Sequence, residues 1–302
     1  MTTEDPIIFV SNRSHTAEER GKIDRSGVTG KDRSSENTLD SPPFTHGRDL
    51  YHSSNKSLGL YLARDFIDAS KPVEDWAQAC SGQSIVELVE QEQADVILSV
   101  NSKKETVFTL TNKDSVKYGL QTLPTPCYSS ISPTIQSILP ILNSMSRWRY
   151  YMRLIPNSRP FKDGIDLEFY SLKQTGEYDD YGNPILKPDS PNLHVNGVVT
   201  CVANDEHFYG CRFVNRTSQD LYAYVFDFSA TSLTINELSS RISGFYQPDP
   251  TLRKNAAITI GYESEDPLPF MFQIDEGMDT DVDVLKLFVS TEPSRLSNAG
   301  AR

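Results

Sequence analysis

The spacing of hydrophobic residues changes near residue 160, from a mixture of periods to a period of two. Beyond that point apolar and polar side chains alternate, which is typical of half-buried strands. The alternation predicts strands over residues 165–172, 195–203, 207–215, 221–228, 232–238, 256–262, 269–274 and 282–290. Short strands punctuated by turn residues, with no helix between them, predict an antiparallel immunoglobulin-like β-sandwich over residues 161–292.

Residues 58–160 mix short apolar runs with helical spacing, and we predict a small α/β unit there. Apolar runs at 94–100 and 106–110 flank a polar turn, a pattern that indicates a hairpin. Residues 72–79 begin with a proline and carry two acidic residues in the first turn, which favours a helix start. In the segment 132–155 apolar residues recur at three- and four-residue spacing, which predicts an amphipathic helix.

The two ends of the chain look different from its middle. Residues 1–57 are rich in Ser, Thr, Arg, Asp and Lys, and no apolar period continues past Val10. Such a composition buries too little apolar surface to offset the entropy of folding, so we predict that residues 1–57 are disordered. Residues 293–302 form a short tail. The chain is therefore predicted to belong to the α+β class, with a small α/β unit followed by a β-sandwich.

The formal net charge of −12 is unevenly distributed, because nearly all of it falls on residues 161–302. An acidic half argues against binding to nucleic acid or to an anionic membrane, and it is compatible with a basic protein partner. We therefore expect a protein partner or a homo-oligomer, and no cofactor. No apolar run is long enough for a signal peptide or a membrane helix, so we expect a cytoplasmic protein with reduced cysteines.

One segment, Gln78-Ala79-Cys80-Ser81-Gly82, nearly matches the nucleophile signature of caspases. His46, which is followed by a glycine, lies upstream. A cysteine peptidase that uses a Cys80/His46 dyad is therefore one alternative, in which the imidazole activates the thiol. Two observations weigh against it. The residues before Cys80 favour a helix rather than a buried strand, and the spacing of about 34 residues is shorter than the roughly 50 of the signature.

An acidic run precedes the last predicted strand. Asp279, Asp281 and Asp283 alternate along it, so their carboxylates share one side of an extended chain. Carboxylate oxygens suit Ca²⁺, and a ligand- or Ca²⁺-binding β-sandwich is the second alternative. The run lacks the glycine placement and the terminal bidentate glutamate of an EF-hand loop, which favours a solvated turn.

Two features of the predicted strands have structural explanations. Cys201 and Cys211 lie on strands joined by a short turn, so we expect cross-strand neighbours that stay as buried thiols rather than a disulfide. Aromatic residues occupy alternate positions of 221–228 and are most simply explained as one face of a strand. An aromatic shelf for a sugar or a peptide is the alternative explanation.

Two stretches of the sequence carry a family resemblance. The first comprises Ala94-Asp95-Val96-Ile97-Leu98-Ser99-Val100, Thr106-Val107-Phe108-Thr109-Leu110, Tyr118-Gly119-Leu120-Gln121-Thr122-Leu123-Pro124 and Arg147-Trp148-Arg149-Tyr150-Tyr151. The second runs through Tyr209-Gly210, Asp220-Leu221-Tyr222-Ala223-Tyr224, Thr259-Ile260-Gly261-Tyr262 and Leu285-Lys286-Leu287-Phe288-Val289-Ser290. Together they cover residues 58–292 and resemble the region that follows the peptidase domain in large caspase-like proteins of mushroom-forming fungi.

This resemblance implies an accessory region, because in that family the catalytic His and Cys belong to the peptidase domain. No catalytic residue of the family therefore carries over to this sequence. The resemblance and the failed dyad together favour a non-catalytic accessory or protein-interaction module associated with caspase-like fungal proteins.

Overall fold

The computed structural model describes residues 2–3, 7–13, 51–52, 57–70, 72–81, 86–111, 131–153, 155–156, 160–180, 182–204, 206–238, 249–263, 268–274 and 280–293. The strands are β1 (Thr2–Thr3), β2 (Ile7–Arg13), β3 (Tyr51–His52), β4 (Leu58–Leu62), β5 (Val86–Leu88), β6 (Val96–Val100), β7 (Thr106–Leu110), β8 (Ile155–Pro156), β9 (Ile165–Tyr178), β10 (Pro184–Pro188), β11 (His194–Val195), β12 (Val198–Ala203), β13 (Phe208–Asn215), β14 (Tyr222–Ser229), β15 (Ile235–Glu237), β16 (Ala257–Ile260) and β17 (Thr280–Ser290). The helices are α1 (Arg64–Ala69), α2 (Val73–Ser81) and α3 (Ile135–Met152), with a 3-10 turn at Gln91–Gln93. The described chain is thus mixed α and β with strands predominating, in agreement with the predicted α+β class.

The first folded part, which we call the α/β unit, is built on a sheet with the order β5-β4-β6-β7. Strand β4 runs parallel to β5 and β6, while β6 and β7 form an antiparallel hairpin. The predicted hairpin is thereby confirmed. Helices α1 and α2 bury Phe66 and Trp76 in the core of the unit, where the two rings meet edge to face at 5.4 Å. Two helices on a small mixed sheet give this unit its own apolar core.

The second folded part, which we call the two-sheet unit, consists of a large sheet and a small sheet. The large sheet has the order β11-β12-β2-β17-β14-β15, with β1 beside β17, and the small sheet has the order β10-β9-β13-β16. Both sheets contribute to one core: Ile7, Phe9, Phe169, Val199, Cys201, Tyr209, Cys211, Phe213, Leu221, Ala223, Val225, Leu252, Ile260, Phe272, Leu285, Leu287 and Val289. Tyr209 links the sheets, since its hydroxyl accepts from the Val202 N–H at 2.9 Å and donates to the Val202 carbonyl at 3.2 Å.

Strand β2 comes from the segment that the sequence predicts to be disordered. It lies inside the large sheet, parallel to β12 and antiparallel to β17. Phe9 is only 2% exposed and its ring lies 4.9 Å from that of Phe169 on the small sheet. The prediction of disorder over residues 1–57 is therefore wrong for Ile7–Arg13, and also for Thr2–Thr3 and Tyr51–His52, which form the short strands β1 and β3. The apolar run of β2 is ordered because it pairs with strands that are distant in the sequence. Most other residues of 1–57 lie outside the described residues, as does the tail beyond residue 293.

Three strand predictions need correction. The pairing of β2 with β12 is parallel, so the predicted all-antiparallel arrangement is wrong for this pair. The predicted strand 195–203 is a hairpin of β11 and β12, because Asn196 and Gly197 turn the chain with φ of 52° and 81°. Residues 269–274 form no strand and make a single antiparallel bridge, between Phe270 and Tyr209.

Helix α3 is shorter than the predicted segment 132–155 and joins the two units. Pro140 lies inside the helix, and because proline has no backbone N–H, the helix lacks one backbone hydrogen bond there. Near its beginning, Ile138 and Leu142 are fully buried in the core of the α/β unit. At its end, Trp148 packs edge to face on Phe228 of the large sheet, with ring centroids 6.4 Å apart. One amphipathic helix therefore serves two cores.

A buried lysine holds the end of this helix against the large sheet. Lys286 on β17 is 1% exposed, and its Nζ donates to the carbonyls of Tyr151 and Met152, each at 3.0 Å. The same ammonium lies 5.1 Å from the centre of the Phe288 ring. The last carbonyls of a helix have no partner within the helix, and the helix dipole favours a cation there. Lys286 thus caps α3 from the neighbouring unit.

Candidate interaction surface

The outward face of the small sheet departs from the alternation expected of a solvated surface. Phe169 on β9 points into the shared core, so the even-numbered residues of this strand point outward. Asp166 and Glu168 follow the polar-out rule, whereas Tyr170 and Leu172 break it. An antiparallel sheet that faces water normally carries polar residues at such positions. This end of the small sheet is therefore a candidate binding face.

Five side chains of this face form a compact apolar group, which we call the outer cluster. Leu172, Leu186 and Tyr262 are buried within it, and Tyr170 and Phe208 pack against them while remaining partly exposed. The rings of Tyr170 and Tyr262 meet edge to face at 6.4 Å and 87°. The outer cluster is separate from the shared core, because its residues lie on the opposite side of β9 and β13.

Two glycines explain how the Tyr262 ring packs closely against this sheet. At Gly210 an added Cβ would come within 2.6 Å of the Tyr262 ring, so only glycine leaves room for it. Gly261 has a φ of +92°, a conformation that side chains rarely adopt, and it turns the chain at the end of β16. The two glycines thus leave the space in which the Tyr262 ring packs within the outer cluster.

An ion pair borders the outer cluster. Arg212 donates to the Glu168 carboxylate at 3.1 Å, and this hydrogen bond raises the pKa of Arg212. Burial, followed by a hydrogen bond to Glu168, raises the pKa of the Tyr170 hydroxyl. Arg216, the residue that follows β13, forms a second pair with Asp166 on β9. The two arginines at this border are therefore already neutralised by carboxylates.

A long hairpin extends the face beyond the body of the small sheet. Strand β9 pairs with β13 over residues 165–172, and from there to Tyr178 it pairs with β10. The turn is closed by Asp179, whose carboxylate accepts from the Asn183 backbone N–H at 2.7 Å and from its side-chain amide at 3.0 Å. Tyr178 is 66% exposed, and Glu177, Asp179 and Asp180 are exposed around it. We call residues 176–180, 182 and 183 the acidic tip.

One more exposed apolar side chain adjoins the outer cluster. Phe270 bridges Tyr209, and both Phe270 and Phe272 pack on the shared core, so Met271 between them faces away from that core, across from Phe208 in the antiparallel register. Met271 is 53% exposed. The outward face thus combines partly exposed aromatic rings, an exposed methionine and a projecting acidic tip.

The caspase-like segment has a different setting. Cys80 lies near the end of α2, 3% exposed in the core of the α/β unit. Burial raises the pKa of its thiol, which keeps the sulfur protonated at neutral pH. His46, the other member of the predicted dyad, lies outside the described residues.

The predicted metal residues lie at one end of the shared core. Asp281 and Asp283 occupy the inward side of β17, and Asp279 lies outside the described residues. Burial, then the charges of Asp227 and Asp281, raise the pKa of Asp283 well above its usual range. Within the described ranges, no group of three His, Cys, Asp or Glu side chains is arranged to hold a metal ion.

The remaining sequence candidates are structural in this fold. Cys201 and Cys211 are both free, and they lie on different sheets, so the expectation that they are cross-strand neighbours is wrong. Burial raises the pKa of Cys201 to about 12, and it raises that of Cys211 as well. The aromatic row of 221–228 is no open shelf, because α3 packs against it through Trp148.

Sequence reasoning did not find the outer cluster. The signal was present, since Tyr170 and Leu172 occupy the polar positions of a strand that was predicted correctly over 165–172. No helix of the described part of the chain is long and apolar enough to cross a membrane. Neither a protein-family model, nor a curated protein, nor a solved structure matches this chain.

Proposed function

We propose that this protein is a non-catalytic interaction module whose working surface is the outward face of the small sheet. The observation that carries the proposal is the outer cluster, where Tyr170 and Phe208 stay partly exposed at positions that a solvated sheet fills with polar residues. Exposed apolar groups rimmed by polar residues are typical of protein interaction sites, in which tyrosine is enriched.

The setting of Cys80 supports a role without catalysis. A nucleophilic cysteine needs a lowered pKa and access to substrate. Cys80 has a raised pKa and is buried among core residues such as Trp76. The protonated, buried thiol therefore favours a packing role.

The finer features of the proposal concern fold and family. We propose that the two-sheet unit is a β-sandwich of immunoglobulin-like type, which the shared core of the two sheets supports. The parallel β2–β12 pair departs from a purely antiparallel sandwich. We also propose that the chain corresponds to the accessory region of caspase-like fungal proteins, on the sequence resemblance over residues 58–292 alone.

Quantitative affinity capture tests the proposed working surface. The bait is the full chain, compared with a Tyr170→Ser/Phe208→Ser variant and with a Val73→Ser/Val202→Ser control. The control removes two exposed apolar side chains that lie away from the outer cluster, each 37% exposed. We expect the wild type and the control to enrich the same proteins, and the cluster variant to lose them by more than tenfold.

A cluster variant that folds and still captures the same proteins would overturn the proposal. Circular dichroism and thermal unfolding of all three baits establish that they are folded. Turnover of peptide substrates that disappears in Cys80→Ala would replace the proposal with the peptidase alternative.

A further inference from the structure

We infer that the partner presents a basic, amphipathic segment, whose apolar side chains cover the outer cluster while its Lys or Arg side chains face the acidic tip. This inference rests on the proposed function and adds the chemistry of the partner. It is an interaction of one protein segment with one sheet face.

The apolar half of the surface lies on a single row. Tyr170 and Leu172 follow one another on the outward side of β9. Beyond the bulge between Gln174 and Tyr178, Tyr178 pairs with Pro184, which shares the outward side of β10 with Leu186. Phe208 flanks the row on β13, opposite Leu172 in the register. Tyrosine rings provide large contact areas at a small entropic cost, which suits them as binding anchors.

The charged half of the surface is unbalanced. Glu177, Asp179 and Asp180 are exposed, and residues 174–183 contain neither Lys nor Arg. Of the neighbouring cations, Lys173 is paired with Asp189 across the hairpin, and Lys187 lies opposite Lys173 on β10, outside the tip. Because Arg212 and Arg216 on the body of the sheet are paired with carboxylates and the tip itself contains no cation, a basic group of the partner gains most at the acidic tip.

The distance between the two halves sets the length of the segment. Strand β9 bulges between Gln174 and Tyr178, so the span is set by the partner strand β10, where the four steps from Pro188, opposite Leu172, to Pro184, opposite Tyr178, correspond to about 13 Å. An extended segment of about five residues, or a helix of about nine, spans that distance, so a peptide of about fourteen residues is long enough in either form. The hairpin is held by the β9–β10 ladder and by the Asp179–Asn183 hydrogen bonds. A surface that is ordered before binding loses little conformational entropy.

A second copy of this chain is a poor occupant. The chain carries a net charge of −12, so two acidic tips and their surroundings repel each other. Nucleic acid is disfavoured for the same reason.

Synthetic peptides of about fourteen residues test the inference by fluorescence anisotropy against the full chain. The first probe is an amphipathic Leu/Lys peptide, and the second is its counterpart with Glu in place of Lys. The third has the composition of the Leu/Lys peptide in scrambled order. We expect the Leu/Lys peptide to bind at least tenfold more tightly than either other probe. We also expect its binding to weaken as salt is raised from 50 to 500 mM, because this shortens the Debye length that screens the carboxylates about threefold.

Two protein variants separate charge from apolar contact. Glu177→Gln/Asp180→Asn leaves the Asp179 turn intact and is expected to weaken the Leu/Lys peptide about fivefold to tenfold. The matched control Glu74→Gln/Asp75→Asn removes two charges on α2 and is expected to change the affinity less than twofold. Tyr170→Ser/Phe208→Ser is expected to weaken binding more than tenfold.

Several outcomes overturn the inference. They are equal binding of the acidic and basic peptides, no binding of any probe up to 1 mM, or an unchanged affinity in Glu177→Gln/Asp180→Asn. Self-association in mass photometry that the Tyr170→Ser/Phe208→Ser variant abolishes would assign the face to a second copy instead. If affinity capture depends on the outer cluster while the peptides show no preference for positive charge, the proposed function stands and this inference fails.

Discussion

The buried lysine that caps helix α3 gives the sharpest test of how the two units are joined. In Lys286→Met the apolar stem is kept, and the ammonium that donates to the carbonyls of Tyr151 and Met152 is removed. A hydrogen bond from a charged donor contributes about 1.5–3 kcal/mol, so losing two costs roughly 3–6 kcal/mol. Removing a buried charge returns several kcal/mol of desolvation. We therefore expect the variant to lose about 2 kcal/mol of unfolding free energy.

Urea unfolding followed by tryptophan fluorescence measures this loss. Trp76 and Trp148 report on the α/β unit and on the contact between α3 and the large sheet, respectively. The matched control is Lys173→Met, because Lys173 and its partner Asp189 are 62% and 48% exposed and such pairs contribute little. A Lys286→Met variant as stable as Lys173→Met would refute the assignment of Lys286 as the cap that holds α3.

Three further predictions follow from the buried groups. Since burial raises the folded-state pKa of Asp283 above its unfolded value, wild-type stability falls as the pH rises from about 4 through that raised pKa. Asp283→Asn removes this dependence, so the free energy of unfolding of the variant should rise relative to that of wild type as the pH rises across that range. A difference between the two proteins that stays constant with pH would contradict the assignment of this dependence to buried Asp283. The three buried thiols, Cys80, Cys201 and Cys211, should react with a thiol reagent only at the rate of unfolding in a Cys127→Ser background, and fast labelling of any of them argues against its burial. Gly210→Ala should displace the Tyr262 ring and destabilise the protein by about 1–3 kcal/mol, whereas near-ultraviolet dichroism identical to wild type would show that the ring has not moved.

The fold was predictable where a segment carries its own signal. Alternation placed the long strands of the two-sheet unit, and the three-to-four spacing found helix α3. Asn196-Gly197 was also readable as a hairpin turn, since this dipeptide favours positive φ at both positions, but the apolar run around it suggested one strand. Strand β2 was not predictable from its own sequence. The seven residues from Ile7 to Arg13 form a strand only because they pair with β12 and β17, which lie almost two hundred residues away or further along the chain.

The candidate surface was only partly predictable from the sequence. Outward aromatic residues on β9 were visible in the sequence once the inward side was known, and that side was fixed by Phe169 in the shared core. The contribution of Phe208 and Tyr262 depends on the pairing of β13 with β9 and on the space above Gly210. Such contacts join residues that are far apart in sequence, so no local pattern encodes them.

Hydroxyl-radical footprinting of the captured complex tests the central claim most directly. Tyr170, Phe208 and Met271 are oxidisable and partly or largely exposed in the free protein, while Tyr178 reports on the acidic tip. We predict that the partner lowers the oxidation rates of these four residues and leaves the rate of Tyr61, on β4 of the α/β unit, unchanged. Protection that falls elsewhere, with these four residues as reactive as in the free protein, would contradict the claim that the outward face of the small sheet is the working surface.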